Sequence, residues 1–164
     1  MAIWLVGLTL TGAPLAAHRA DGPLCVLIFL ETECPICQKT LPRLQALARQ
    51  YAGRVRFEAV YPTETVSRRE VQDFEKRFAL SFPHRLDPRH RLVDRYGVTT
   101  TPEVVLLSAT GQVRYQGSVD DQFYRLGRAR PAPTAFYLRD AIEATLSNRP
   151  VGTTRTTPVG CLIN

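Results

Sequence analysis

The feature that most constrains this chain is an apolar strand that leads into two closely spaced cysteines and then into a helix. The run LCVLIFL, residues 24–30, has no polar interruption, which is typical of a strand covered on both faces. Cys34 and Cys37 follow it, and apolar residues then recur at helical spacing in residues 35–51. The sequence therefore predicts a strand, a short loop and a helix whose first turn carries both thiols.

The start of this helix can activate Cys34. With Cys34 as the N-cap and Pro35 as the first helical residue, the proline supplies a suitable φ, and its missing N–H costs no hydrogen bond. The Cys34 sulfur would face unpaired backbone N–H groups and the positive end of the helix dipole, which lower a cysteine pKa from about 8.5 to roughly 3.5–7.5. Cys34 is therefore predicted to be a nucleophile at neutral pH.

Cys37 lies three residues further along the same helix face, near enough to form a disulfide with Cys34. Attack by Cys34 on a substrate disulfide, and then by Cys37 on the mixed disulfide, would release reduced substrate and oxidise the pair. The reverse sequence would oxidise a substrate. This chemistry needs no bound cofactor, only a disulfide-containing protein or small-thiol substrate and an upstream electron donor.

Other uses of a cysteine pair fit the sequence less well. A structural zinc site needs four ligands, and the remaining cysteines and histidines are scattered along the chain: Cys25, Cys161, His18, His84 and His90. Gln38 rather than histidine follows Cys37, so covalent haem attachment is not indicated. A purely structural disulfide stays an alternative, although so short a loop constrains the unfolded chain little.

Length and composition suit one soluble globular domain, because 164 residues with 45% hydrophobic and 22% charged side chains can bury a sizeable core. The formal charge of +6 is spread from Arg19 to Arg155 among acids and prolines, so nucleic-acid binding is not predicted. No apolar stretch is long enough for a membrane span, so membrane insertion is not predicted either.

The apolar N-terminus, MAIWLVGLTLTGAPLAA, can be interpreted as a first strand or as a secretory signal. No Lys or Arg precedes the apolar stretch, and Leu15 stands where a small residue would precede cleavage after Ala17. Threonines also alternate with leucines, which favours a strand. A cytoplasmic location is the default expectation, with an extracytoplasmic one left open.

The rest of the chain predicts alternating strands and helices. The expected elements are a strand in residues 54–62, a helix around 71–78, a short helix over 92–96 ending at Gly97, and a hairpin of residues 103–107 and 113–117. The last helix is predicted to begin with Thr134 as its N-cap. Residues 1–147 would form the domain, a mixed α/β sheet with helices on both faces, and residues 148–164 an irregular tail.

These residues resemble the thioredoxin superfamily, and within it the redoxins of the alkyl hydroperoxide reductase and thiol-specific antioxidant type. Residues 34–37, Cys-Pro-Ile-Cys, stand in the place of the family's Cys-x-x-Cys, Pro42 matches its helix proline, and TTTPEVVLL, residues 99–107, is similar to its cis-proline segment. The resemblance covers most of the chain. It implies a thioredoxin-like fold with a mixed central sheet of about five strands.

The resemblance also implies a substrate groove. Pro102 would be cis and lie against the dithiol, and Pro35, Thr101 and Pro102 would contact the substrate. The Thr101 backbone would offer hydrogen bonds to an extended chain, which would hold a protein disulfide over Cys34.

Three positions depart from the family pattern. The buried acid of thioredoxins would fall at Ile28, so a proton relay must use Glu31, Glu33, water or nothing. A peroxiredoxin carries Thr and Pro where this chain has Glu31 and Leu27, which weakens a peroxidase interpretation. Copper-delivering relatives carry a downstream histidine, and no histidine follows His90.

Two further segments carry candidate residues. Residues 117–134 form a long connection in which Asp120, Asp121 and Arg125 could contact a partner, although a solvated loop is the favoured interpretation. Cys161 could be an extra resolving thiol on a mobile tail that reaches Cys34, or else a free thiol. Cys25, inside a buried strand, is expected to have no chemistry.

The sequence thus predicts a thiol:disulfide oxidoreductase in which Cys34 attacks and Cys37 resolves. A thiol peroxidase, with Cys34 oxidised to a sulfenic acid and Cys37 or Cys161 resolving it, is the first alternative. A binding module that keeps the fold without catalysis is the second.

Overall fold

The central sheet of the protein combines parallel and antiparallel neighbours. The computed structural model describes residues 22–163, so the strand predicted in residues 1–17 lies outside the described residues. Numbered along the chain, the strands are β1 (Leu24–Phe29), β2 (Val55–Tyr61), β3 (His84–Leu86), β4 (Thr100–Thr101), β5 (Glu103–Leu107), β6 (Val113–Gly117), β7 (Phe123–Arg125), β8 (Arg128–Ala129) and β9 (Cys161–Leu162). The helices are α1 (Pro35–Gln50), α2 (Arg68–Arg77), α3 (Arg91–Tyr96) and α4 (Tyr137–Leu146).

The pairing of β1 brings two distant segments of the chain together. The sheet order is β3-β2-β1-β5-β6, and β1 pairs in parallel with β2 and antiparallel with β5. In the antiparallel pair Phe29 lies opposite Glu103. The C-terminal end of β1 therefore lies beside the N-terminal end of β5, which places the start of α1 close to Thr101 and Pro102.

Hydrophobic side chains cover both faces of this sheet. Every residue of β1 is buried, and its side chains alternate between two core clusters. The larger cluster includes Leu41 of α1, Phe74 of α2 and Ile142 of α4, whereas the smaller one includes Val93 of α3. Because full burial of a side chain of this size contributes about 1.5–3 kcal/mol, both faces stabilise the sheet. The predicted mixed sheet of about five strands with helices on both faces is confirmed.

The start of the last helix is a correction to the sequence prediction. α4 begins at Tyr137 with Phe136 as its N-cap, not with Thr134. The Thr134 hydroxyl donates instead to Asp121 at 2.6 Å, and the Thr134 N–H donates to the same carboxylate at 2.7 Å. Because the Asp121 carboxylate accepts hydrogen bonds from both groups, Thr134 is held in the preceding loop and cannot cap the helix.

The C-terminal residues run back across the domain. Over residues 148–163 the chain is mostly irregular, but β9 pairs with β4, and Arg155 bridges to Gln116 of β6. Strands as short as β3, β4 and β9 have no periodicity and no counterpart in the sequence prediction. Among residues 22–163, no helix combines the length and apolar character that crossing a membrane requires.

Candidate active site

Cys34 occupies the start of α1 as the sequence predicts. It is the N-cap residue in an extended conformation, φ −76° and ψ 114°, and Pro35 follows as the first helical residue. The Cys34 carbonyl accepts the first helical hydrogen bond from the Gln38 N–H at 3.1 Å. No acidic residue stands in the first turn, so the positive end of the helix dipole at Cys34 has no competing carboxylate on the helix itself.

The segment before β5 lies directly against Cys34. The Thr101–Pro102 peptide bond is cis, as the family resemblance implies. The Cys34 Sγ lies 3.4 Å from the carbonyl oxygen of Thr101. The two segments predicted to form the site, 67 residues apart in sequence, are therefore in contact.

Cys37 is a free and fully buried thiol. Burial raises its pKa to about 12, and hydrogen bonds with the Glu31 backbone and the Thr101 side chain oppose that shift only in part. Ile28, at the position of the family's buried acid, is itself fully buried and offers no proton acceptor. The polar groups that contact the Cys37 thiol are therefore backbone and hydroxyl groups, and the Glu31 carboxylate acts on it through its charge.

The disulfide in this structure joins Cys34 to Cys161, 127 residues further along the chain, with Cα atoms 6.1 Å apart. Cys161 lies in β9, opposite Thr101 of β4 in an antiparallel pair. The Thr101 hydroxyl also lies 3.5 Å from the Cys161 carbonyl oxygen, to which it donates. The structure thus brings the tail cysteine to Cys34, while Cys37 lies unbonded on the first turn of the same helix.

Glu103 is a site residue that the sequence analysis misses. It follows Pro102 and is buried, and burial raises the pKa of its carboxyl above the usual value. It accepts from the Gln116 side-chain amide at 2.7 Å and from the Thr99 N–H at 3.4 Å. Glu103 therefore ties the backbone ahead of Thr101 to the sheet. The sequence signal for Glu103 is a charged residue at the first position of an otherwise apolar strand, EVVLL.

The long connection after β6 contains regular structure and internal contacts, although residues 124–129 are exposed to solvent as a solvated loop would be. Strands β7 and β8 form a hairpin within it, and Asp120 is buried in an ion pair with Arg43 of α1. The Asp121 carboxyl holds Thr134 and Ala135, and these hydrogen bonds lower its pKa to about 2. Asp120 and Asp121 therefore organise the connection from within, while Arg125 is exposed on the hairpin.

The remaining candidates lie away from this site. Cys25 is a buried free thiol that accepts from Arg56 at 3.3 Å, and burial raises its pKa. Over residues 22–163 no group of three or more His, Cys, Asp or Glu side chains is arranged to hold a metal ion.

Comparisons with known proteins bear on the family and the fold of the chain. The sequence model of a thioredoxin-like family matches residues 22–113, more than half of the chain. The thiol-disulfide oxidoreductase ResA of Halalkalibacterium halodurans is 30% identical over 105 residues, which span 63% of this chain and 58% of ResA. The sporulation thiol-disulfide oxidoreductase A of Bacillus subtilis is 30% identical over 94 residues, 56% of this chain and 57% of that protein. The chain thus spans a little under three fifths of these curated relatives.

Solved structures share the fold. A hypothetical protein from Sinorhizobium meliloti 1021 superposes with a TM-score of 0.73 at 26% identity, covering 90% of this chain and 82% of its own. StoA from Bacillus subtilis superposes with a TM-score of 0.52 at 29% identity, covering 58% of this chain and 72% of its own. The family match begins just before β1 and includes Cys34 and the whole of α1 with Cys37. The chain therefore belongs to the thioredoxin-like family.

Proposed function

We propose that the protein is a thiol:disulfide oxidoreductase that exchanges the Cys34–Cys37 dithiol with disulfides of proteins or small thiols. The observation that carries the proposal is the position of the Cys34 sulfur at the first turn of α1, 3.4 Å from the Thr101 carbonyl. The names of the curated relatives ResA and sporulation thiol-disulfide oxidoreductase A support the same chemistry.

Cys34 performs the first step. Its thiolate, favoured by the helix dipole, attacks one sulfur of a substrate disulfide and displaces the other as a thiolate. The products are a mixed disulfide between Cys34 and the substrate and one free substrate thiol, which takes a proton from solvent.

Cys37 performs the second step. Its thiolate attacks the Cys34 sulfur, the mixed disulfide breaks, and the second substrate thiol leaves with the proton that Cys37 loses. Two electrons have then passed from the dithiol to the substrate, and an upstream dithiol donor restores the pair. Because burial raises the pKa of Cys37 to about 12, the Cys37 thiol is protonated at neutral pH, and the small thiolate fraction is a strong nucleophile.

Thr101 and Pro102 shape the substrate groove beside the exposed Pro35. The β4 backbone already pairs with an extended strand in this structure, which supports the binding of an extended substrate chain there. A small pocket beside Pro102 is lined by Ile36 and Phe123 and also by the Arg43–Asp120 ion pair. This pocket, with apolar and charged lining, would contact a side chain that flanks a substrate cysteine.

Insulin reduction with dithiothreitol as the electron donor tests the proposal. We expect the wild-type protein to accelerate insulin precipitation, the Cys34→Ser variant to fall to the uncatalysed rate, and the Cys25→Ala variant to match the wild type. A Cys34→Ser variant as active as the wild type would overturn the proposal.

The same proteins separate the two alternatives. Peroxide consumption that needs Cys34, without insulin reduction, would instead support the thiol peroxidase. Absence of both activities in a folded protein would support the non-catalytic binding module.

A further inference from the structure

The C-terminal part of the chain is docked on the domain through its backbone. Residues 154–163 are called the tail segment below. The Gln116 N–H donates to the Thr154 carbonyl at 3.0 Å, and the Gln116 carbonyl accepts from the Thr156 N–H at 3.0 Å. The Thr156 and Tyr115 hydroxyls are 2.7 Å apart and share a hydrogen bond. The first half of the tail segment is therefore held against β6.

The second half of the tail segment lies on β4. Cys161 is opposite Thr101, and the Ile163 N–H donates to the Thr99 carbonyl at 3.1 Å. Gly160 lies against the Thr101 carbonyl so closely that a Cβ at Gly160 would overlap both of its atoms. Only a glycine permits this approach of the two backbones.

The docked tail segment covers the nucleophile. Only 1% of Cys34 and 1% of Thr101 is exposed to solvent. An attacking cysteine must reach a disulfide on another molecule, and the Thr101 backbone can pair with only one extended chain at a time. An external substrate therefore cannot bind while the tail segment occupies the groove.

We propose that the tail segment is an internal substrate of the dithiol, and that the external substrates are extended chains whose reactive cysteine follows a glycine. The inference rests on the proposed oxidoreductase function and adds the class of substrate to it. The Cys34–Cys161 bond then corresponds to the mixed disulfide that Cys34 would form with a cysteine of an external chain.

Release of the tail segment is an intramolecular exchange. The Cys37 thiolate attacks the Cys34 sulfur, the Cys34–Cys37 bond forms, and the Cys34–Cys161 bond breaks. Cys161 leaves as a thiolate and takes up one proton, which balances the proton that Cys37 loses. Because one disulfide replaces another, the chain neither gains nor loses electrons. The groove is then open to another chain.

The register of β9 on β4 defines the substrate class. With a cysteine opposite Thr101, the preceding residue is the one that touches the Thr101 carbonyl, as Gly160 does. A side chain there must push the two backbones apart, and overpacking of this kind typically weakens binding by roughly 5- to 150-fold. A chain with alanine before its cysteine is therefore a poorer substrate.

Disulfide mapping by mass spectrometry tests the internal substrate. In the air-oxidised wild-type protein we expect Cys34–Cys161 to be the main species. Gly160→Ala should shift the ratio about tenfold toward Cys34–Cys37, whereas Gly152→Ala, whose Cβ would meet no atom within 4 Å, should match the wild type. Circular dichroism of each variant checks that the domain is folded. Equal ratios in all three folded proteins would overturn the inference.

Two peptides test the substrate class. Val-Gly-Cys-Leu-Ile and Val-Ala-Cys-Leu-Ile, each joined to glutathione by a disulfide, are offered to the reduced Cys161→Ser variant, in which the tail segment cannot be bonded to Cys34. We expect kcat/KM for the glycine peptide to be about tenfold higher. Equal kcat/KM for the two peptides would overturn the substrate class.

Failure of the inference and failure of the proposed function give different results. If only the inference is wrong, insulin is still reduced through Cys34. The two peptides then have equal kcat/KM, and Gly160→Ala leaves the ratio of Cys34–Cys161 to Cys34–Cys37 unchanged. If the proposed function is wrong, neither peptide nor insulin reacts with any variant.

Discussion

Cys34 has one bonded sulfur partner, Cys161, and one proposed partner, Cys37, and the chain brings the two to it in different ways. Cys37 is one helical turn away on α1, so its position follows from local geometry, and its side chain is fully buried in the core. Cys161 arrives from 127 residues away through a two-residue strand and a few backbone hydrogen bonds. The helix fixes the local partner beside Cys34, whereas few contacts hold the distant one, and this difference is what the proposed roles of Cys37 in resolution and Cys161 in exchange require.

The largest expected effect separates the two partners by turnover. Cys37→Ser should stop multiple turnover in insulin reduction and accumulate a mixed disulfide with insulin, because Cys161 cannot enter the groove while the insulin chain occupies it. Cys161→Ser should turn over at least as fast as the wild type, because Cys37 remains. Gel analysis under non-reducing conditions detects the mixed disulfide. Full activity in Cys37→Ser would show that Cys161 is the resolving thiol.

The two disulfides should also differ in stability. In the chain-entropy account, a bond across a separation of 127 residues stabilises the fold by about 5 kcal/mol, and one across three residues by about 2 kcal/mol. The free energy of unfolding in urea is measured for two variants. Cys37→Ala can form the Cys34–Cys161 bond but not the Cys34–Cys37 bond, and Cys161→Ser can form the Cys34–Cys37 bond but not the Cys34–Cys161 bond. For each variant the oxidised form is measured against its own reduced form, which cancels the effect of the substitution. Equal differences would contradict the assignment of the two bonds.

The pH dependence of the second step should identify Cys37. Its pKa is raised to about 12, so it is protonated at neutral pH, and its thiolate fraction grows tenfold for each pH unit over the range from about 7 to 10. Release of glutathione from a Cys34–glutathione disulfide in the Cys161→Ser variant measures this step. We expect the rate to rise with pH across that range. A rate that levels off near pH 8 would show that Cys37 ionises like an ordinary thiol.

The smallest expected effect concerns the anchor of the tail segment. Thr156→Val removes the hydroxyl that bonds with Tyr115 and accepts from the Ser118 N–H at 2.9 Å. The loss should lower the free energy of unfolding by about 1 kcal/mol and raise the share of Cys34–Cys37 disulfide severalfold. Thr153→Val, at an exposed position, is the matched control. Identical disulfide ratios would show that docking does not depend on this anchor.

The part of the site that local geometry determines is the part that the sequence predicts. The apolar run of β1, the start of α1 at Pro35 and the hairpin of β5 and β6 follow from periodicity and helix-start preferences, and all three are present. The oxidoreductase roles of Cys34 and Cys37 stay predictions, as does the resolving role of Cys161. The thioredoxin resemblance is confirmed by the family match.

The parts that depend on distant contacts are not predictable in this way. Thr134 has the side chain of a good N-cap, but its hydroxyl donates a hydrogen bond to Asp121, thirteen residues earlier. β9 is only two residues long, and its position depends on a glycine that fits against a carbonyl in another part of the chain. Burial of Glu103 depends on Gln116 from the neighbouring strand. None of these contacts leaves a periodic signal in the sequence.

The cover over Cys34 has a chemical consequence of its own. A thiolate left open to solvent is oxidised stepwise, and its sulfinic and sulfonic forms are lost to catalysis. Sulfur that is already joined to Cys161 and closed off from solvent has no free thiolate to offer an oxidant. Under the proposed exchange, residues 154–163 act as a protecting group for the Cys34 sulfur, which one reversible disulfide exchange then removes.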